Sequence, residues 1–379
     1  MVLQWRVSPS VPLKTIVVVV VLCLIYVSQH PALDRFDHRV SSLDLSLQLP
    51  KNGIDFGINN TDHASFYASD AARQFCKHHG YSVFTPLLEG GRRKIYDLFM
   101  VNTELDWMEV RLNTTYHHVD YFVIVESPKT FTGKPKPLII KENWDRFKPY
   151  HAKLIYHELE FPPDFNPVRS WDYEDLQRNA MYTQVFPKLI GKQAPTYGDV
   201  ILVADVDEIA RPETLFVLRV CEFPRRLTLR SRFYYYSFQF LHRGPEWEHP
   251  QATYFQGSRT LLPANLRMGD GGFKPLYDLE KADLANACWH CSSCFATVDE
   301  FLTKMASFSH EWMNGERFRD KDRIADAIRN GKDLWGRAID QFDRLENNTD
   351  VPGMLLDEPL RFGYMLNRDG PSAGFTDYP

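Results

Sequence analysis

The chain has 379 residues, of which 44% are hydrophobic and 25% charged, close to an average soluble globular protein. That composition excludes a disordered, collagen-like or multi-span membrane chain. Lys and Arg number 44 against 49 Asp and Glu, a formal net charge of −5, and no basic run offers a nucleic-acid footprint.

The first element is the apolar run Thr15–Val27, with Arg6 and Lys14 before it and Asp34 as the first charge after it. A cleaved signal peptide and a membrane anchor both contain such a core. The following Ser28-Gln29-His30-Pro31 offers no small-x-small cleavage site. The expectation is therefore a transmembrane signal-anchor over residues 13–28. The charge asymmetry places residues 1–12 in the cytosol and residues 28–379 in a lumen, as a single-pass type II protein. Sequons at Asn59, Asn113 and Asn347 agree with a lumenal body. Cys23 lies in the apolar run, which leaves Cys76, Cys221, Cys288, Cys291 and Cys294 for the lumen. The number is odd, so at least one is free or links two copies as a homodimer.

Residues 29–91 show no sustained period and read as a stem or irregular extension. From residue 92 to 379 the texture is that of a folded domain. Ile95–Val101, Tyr121–Val125, Leu154–Leu159 and Val200–Ala204 are apolar runs suited to buried strands. Between them, Glu104–Leu112 and Asp172–Lys188 carry helical spacing, the second with Ser170 as its expected cap. Continuously apolar strands alternating with helices predict an α/β fold with a mainly parallel central sheet. Arg226–Leu241 reads as antiparallel strands, and the tail from Asn347 as loop around one apolar segment, Gly353–Leu366.

In such sheets ligands bind beyond the carboxyl ends of the strands. Two strands here end in acids, at Glu126 and at Asp205-Val206-Asp207-Glu208. Carboxylate oxygens suit Mn²⁺ or Mg²⁺, and such an ion can neutralise charge on a departing nucleoside diphosphate. An acidic turn that only caps the next segment would use the same residues. Trp289-His290-Cys291-Ser292-Ser293-Cys294, preceded by Cys288, has half the spacing of a zinc knuckle but no second half. In an oxidising lumen Cys291 and Cys294 are expected to be oxidised, with each other or with Cys221 or Cys288. His310-Glu311-Trp312 offers a metal ligand, a base and a sugar-stacking ring, although a lone His is more often simply hydrogen-bonded. Glu174 and Arg178, four apart on the predicted helix, form a surface pair or turn Arg178 toward a phosphate.

Together these segments resemble glycosyltransferase family 17, the β-1,4-mannosyl-glycoprotein β-1,4-N-acetylglucosaminyltransferases. The resemblance runs from about Ile95 to the C-terminus. It is carried by Phe122–Ser127 with Phe131–Leu138, Gln177-Arg178-Asn179-Ala180, Asp205–Ile209, Trp289–Phe295 and Ser307–His310. It implies the nucleotide-sugar-binding (GT-A-like) sheet, UDP-GlcNAc as donor, a mannose-containing glycan as acceptor and an inverting displacement. Expected donor contacts are Glu126, Arg178, Asp205, Trp289 and His290. Expected metal ligands are Asp207, Asp205 and His310. Expected catalytic residues are Asp205, Asp207, Glu208 and Glu311, with Asp299 and Glu300 as further candidates for the base. A metal-dependent nucleotide-sugar hydrolase and a non-catalytic, lectin-like secretory protein are the competing readings.

Overall fold

Six-residue runs without a polar break, other than one acid each, form the centre of the protein. In the computed structural model, which describes residues 40–43, 45, 67–86, 92–307 and 310–378, these runs are strands of one eleven-stranded sheet. The strands are β1 (Val40–Ser42), β2 (Ile95–Met100), β3 (Tyr121–Glu126), β4 (Leu154–Glu158), β5 (Val200–Asp205) and β6 (Glu208–Ala210). They continue with β7 (Arg226–Tyr235), β8 (Ser237–His242), β9 (Gln251–Tyr254), β10 (Lys281–Ser292) and β11 (Phe342–Arg344). The main path is β1-β10-β7-β9-β5-β2-β3-β4. The pairs β5–β2, β2–β3 and β3–β4 are parallel, as are β7–β10 and β10–β1. Only β9 along this path runs antiparallel, between β5 and β7. The expected antiparallel character of Arg226–Leu241 holds for β7 with β8, while the long partner of β7 is the parallel β10.

Alternate residues of each strand feed opposite layers. Ile95, Phe99, Phe122, Ile124 and Leu202 pack with α1 (Leu105–Thr115) and α3 (Pro212–Val220). Tyr96, Leu98, Val123, Val125, Ile201 and Val203 pack with Ala180 and Met181 of α2 (Ser170–Thr183). Both faces being covered is why the strands carry no solvent-facing alternation. The α2 cap differs from the sequence expectation. Arg169 is the N-cap, and Asp172 accepts hydrogen bonds from the Val168 and Arg169 N–H groups, so Ser170 is the first helical residue. The tail is also more ordered than expected, with helices at Gly353–Asp357 and Pro359–Leu366.

The extension expected over residues 29–91 is not irregular throughout. β1 pairs with β10, and a helix at Asp70–His78 is bound to the body by the Cys76–Cys221 disulfide. Cys291 and Cys294 are joined to each other. The remaining described cysteine, Cys288, is fully buried in β10, so it is not placed to link two copies. The anchor expected at 13–28 and the cytosolic tail lie outside the described residues. Among the described residues no helix is long and apolar enough to cross a membrane.

The Cys76–Cys221 bond spans 145 residues of sequence, so it restricts the unfolded chain strongly. Replacing both cysteines by serine is expected to lower stability by about 2–4 kcal/mol. Urea unfolding followed by circular dichroism measures it, and an unshifted midpoint would contradict the assignment.

Candidate active site

The acidic turn after β5 is shaped by a cation that comes from elsewhere in the chain. Asp97 sits mid-strand in β2 on a core-facing position, where a lone carboxylate would be costly. Arg111 of α1 answers it with two hydrogen bonds, Nε to Oδ2 at 2.8 Å and Nη2 to Oδ1 at 2.6 Å. Both side chains are 1% exposed. The third nitrogen, Nη1, donates to the carbonyl oxygens of Asp205 at 3.0 Å and Glu208 at 2.6 Å. The turn is thereby held on its backbone, which leaves its carboxylates to other partners.

Those partners come from three further elements. Arg178 of α2 donates through Nη2 to Asp205 Oδ1 at 3.0 Å and to Glu174 Oε1 at 2.8 Å. Its neighbours explain the rest of that motif. Gln177 binds the Val125 carbonyl at the end of β3, and Asn179 accepts from the Ala264 N–H of a short helix, Pro263–Arg267. That helix delivers Arg267, which donates to Asp205 Oδ2 at 2.7 Å and to both oxygens of Glu208 at 2.8 and 2.9 Å. Trp247 Nε1 also donates to Glu208, at 2.8 Å. Burial opposes ionisation of Glu208, but the Arg267 charge outweighs it and holds the carboxyl well below its usual range.

The third element is β10. It pairs antiparallel with β6, so that His290 lies opposite Glu208. The two motifs singled out in the sequence therefore meet across one ladder. His290 Nε2 is 3.7 Å from Asp207 Oδ2, and its ring stacks on Phe233. The Cys291–Cys294 bridge then turns the chain into α4 (Val298–Ser307), which returns Lys304 to within 3.4 Å of Asp207 and 3.7 Å of Glu104. Burial opposes the Asp207 charge, but Lys304 and His290 outweigh it and pull its carboxyl down to about 2.

Asp205, Asp207, Arg178, His290 and His310 all line one cleft of about 390 Å³ at the carboxyl edge of β2 and β5. Other expected site residues lie elsewhere. Trp289 is one residue from His290 and so points to the opposite face, where it donates to Asp350 and lies under Arg211. Glu126 is fully buried and accepts from the Ile140 N–H and the Tyr156 hydroxyl, fixing a turn rather than meeting a donor. Glu208 is fully buried by its Arg267 and Trp247 contacts and does not line the cleft, so it is not placed to exchange protons with a substrate. Asp299 pairs with Lys321 at the surface, and Glu300 accepts from the Ala296 and Thr297 N–H groups at the start of α4. The Glu311 side chain lies outside the described set. His310 lies against Trp171, with ring centroids 5.2 Å apart.

The expected three-ligand metal site from Asp205, Asp207 and His310 is not formed. Among the described residues no three His, Cys, Asp or Glu side chains converge on one point. Each oxygen of Asp205 already accepts from a guanidinium. Asp207 is the carboxylate that fits a hard divalent ion, being ionised and on the cleft wall. The wall's charges fit one too: Lys129, Lys136, Arg178, Arg267, Lys304 and Arg337 are matched by Glu104, Glu174, Asp175, Asp205, Asp207 and Asp340. No surplus positive charge remains for a diphosphate. Arg178 Nη1 is buried with no hydrogen-bond partner among the described residues, a donor left for a ligand. Sequence reasoning missed Arg111, Arg267, Lys304, Glu104 and Asp175. Of these, only Arg111 had a signal in the sequence: Asp97, in the middle of an apolar strand, needs a buried cation as its partner.

The profile of glycosyltransferase family 17 matches residues 15–368. A human β-1,4-mannosyl-glycoprotein 4-β-N-acetylglucosaminyltransferase is 28% identical over 308 residues, covering 73% of this chain and 55% of the relative. Its counterparts from Rattus norvegicus and Mus musculus are 25% and 27% identical, each covering 63% of this chain and 48% of the relative. The chain spans about half the length of these curated relatives. The chain belongs to glycosyltransferase family 17.

The Arg111–Asp97 pair gives a direct test of how the turn is held. Arg111→Met leaves Asp97 buried and unpaired and is expected to cost about 3–5 kcal/mol. Adding Asp97→Asn should recover part of that loss. Urea titration of the single and double variants measures both, and equal stabilities for the wild type and Arg111→Met would refute the role.

Proposed function

We propose that this family 17 protein transfers N-acetylglucosamine from UDP-GlcNAc to a β-linked mannose of an N-glycan or related mannose-containing glycan, inverting the anomeric carbon. The carrying observation is the pair Asp205 and Asp207 on one cleft wall at the carboxyl edge of a parallel sheet, beside the open donor Arg178 Nη1. The printed names of the relatives support the donor and acceptor classes.

Each residue then has a physical task. Arg178 and Arg267 hold Asp205, whose side chain is still 36% exposed and open to a ribose hydroxyl. Arg178 Nη1 donates to a diphosphate oxygen. Lys304, kept charged by Asp207 and Glu104 despite its burial, adds positive charge beside the leaving group. His290, stacked on Phe233, walls the cleft next to Asp207. A Mn²⁺ or Mg²⁺ ion held by Asp207 would supply the remaining positive charge that a departing UDP requires.

The same reading places the protein in the Golgi or ER membrane as a type II protein, with residues 13–28 as anchor and the body in the lumen. The two disulfides suit an oxidising compartment, and Asn113 and Asn347 are both exposed for glycosylation.

Two outcomes are expected. Asp207→Asn keeps the side-chain size and should lower UDP release from UDP-GlcNAc with glycan by about 10²-fold or more. Circular dichroism checks its folding, and a folded variant with near-normal turnover would sink the assignment. In cells, the chain should stay in the membrane pellet after carbonate extraction and shift on endoglycosidase treatment. A soluble, N-terminally cleaved product would refute the anchor.

A further inference from the structure

The helix α2 presents Trp171, Glu174, Asp175 and Arg178 to the cleft, at the i, i+3, i+4, i+7 spacing of one helical stripe. Arg178 is fixed on Asp205, so the stripe measures distance from the diphosphate end of the cleft. Asp175 lies three residues back, about 4.5 Å along the axis, and Trp171 lies seven back, about 10 Å. Trp171 has His310 against its ring, tilted 59° to it, so the two rings form an angled aromatic corner against which a pyranose can pack. The order along the wall is thus phosphate anchor, carboxylate, aromatic platform. A displacement needs the reacting carbon between leaving group and base in that sequence.

A base must also have a proton-accepting oxygen to spare. The other described carboxylates of the cleft are engaged by cations. Glu104 and Asp207 share Lys304, Glu174 binds Arg178, Asp205 binds Arg178 and Arg267, and Asp340 binds Arg337. Such contacts stabilise the charged form and lower basicity. Asp175 is half-buried on the wall, and among the described residues no hydrogen bond or ion pair engages it. Burial and the neighbouring Glu174 push its carboxyl upward.

We propose that Asp175 is the catalytic base that takes the proton of the acceptor hydroxyl, with Trp171 and His310 bearing the acceptor sugar. The assignment rests on the donor reading above. As the acceptor oxygen bonds to the anomeric carbon, its proton passes to a carboxylate oxygen of Asp175. The bond from that carbon to the β-phosphate oxygen breaks, and its electron pair leaves with UDP. Asp175 then returns the proton to water.

The test uses the full chain in detergent with Mn²⁺, comparing wild type, Asp175→Asn and Asp175→Glu. UDP binding is read by calorimetry, and transfer from UDP-GlcNAc to a biantennary N-glycan by mass spectrometry. Asp175→Asn should bind UDP within about twofold of wild type while kcat falls by about 10²–10³-fold. Asp175→Glu, which keeps the carboxylate, should recover at least about a tenth of wild-type kcat. An Asp175→Asn chain that transfers at near wild-type rate overturns the base assignment and leaves the donor reading standing. One that loses UDP binding together with turnover makes Asp175 a donor-site residue and also overturns it. A wild-type chain that binds no UDP overturns the donor reading, and this assignment with it.

Discussion

The active cleft depends on one buried cation. Arg111 spends two of its nitrogens on Asp97 and the third on the carbonyl oxygens of the turn that carries Asp205 and Asp207. Its guanidinium also lies over the Phe99 ring. Removing the pair from water is unfavourable, and such a pair persists where its hydrogen bonds are complete. Here they also fix backbone geometry at the end of β5. A turn held in this way on its backbone carries the charged side chains of Asp205 and Asp207 to the cleft wall.

The cleft built on that turn is a chain of alternating charges. From α2 to α4 run Glu174, Arg178, Asp205, Arg267 and Glu208, with Asp207, Lys304 and Glu104 closing the other side. A wall of this kind is close to neutral yet rigid, because each side chain is held by the next. It suits a ligand that is itself charged and that brings or recruits a counter-ion. The same chain explains why the acids of the motif are not equivalent. Glu208 is consumed in locking the turn, Asp205 is shared by two guanidiniums, and Asp207 faces the cleft with its charge intact.

Much of the framework was legible in the sequence. The runs Ile95–Met100, Tyr121–Glu126, Leu154–Glu158 and Val200–Asp205 became parallel strands close to their expected bounds. A strand buried on both faces must be apolar at every position, and that pattern needs no partner to be recognised. The acidic tips were equally visible. The contacts were not. Arg267 sits on a one-turn helix with no periodic signal, and Lys304 is an ordinary helix lysine in sequence. Their roles come from chain segments about 60 and 100 residues away from the turn, which local pattern cannot register.

The pair Trp289-His290 separates the two kinds of knowledge most sharply. The sequence by itself determined that a parallel α/β sheet exists, that acids stand at the ends of its strands, and that cysteines 291 and 294 are close enough to join. It could not say which face of β10 looks into the cleft. Neighbouring residues on a strand point to opposite sides, so the answer rests on register alone. The ladder that sets His290 opposite Glu208 turns His290 toward Asp207 and sends Trp289 to Asp350 on the far side. Burial made the same division for Glu126 and Asp175. One acid is sealed under Tyr156 and backbone donors, and the other is left on the cleft wall. Local composition fixes where strands and charges lie along the chain. Only packing decides which charges share a cavity, because partners distant in sequence set the burial, the pairing and the direction of each side chain.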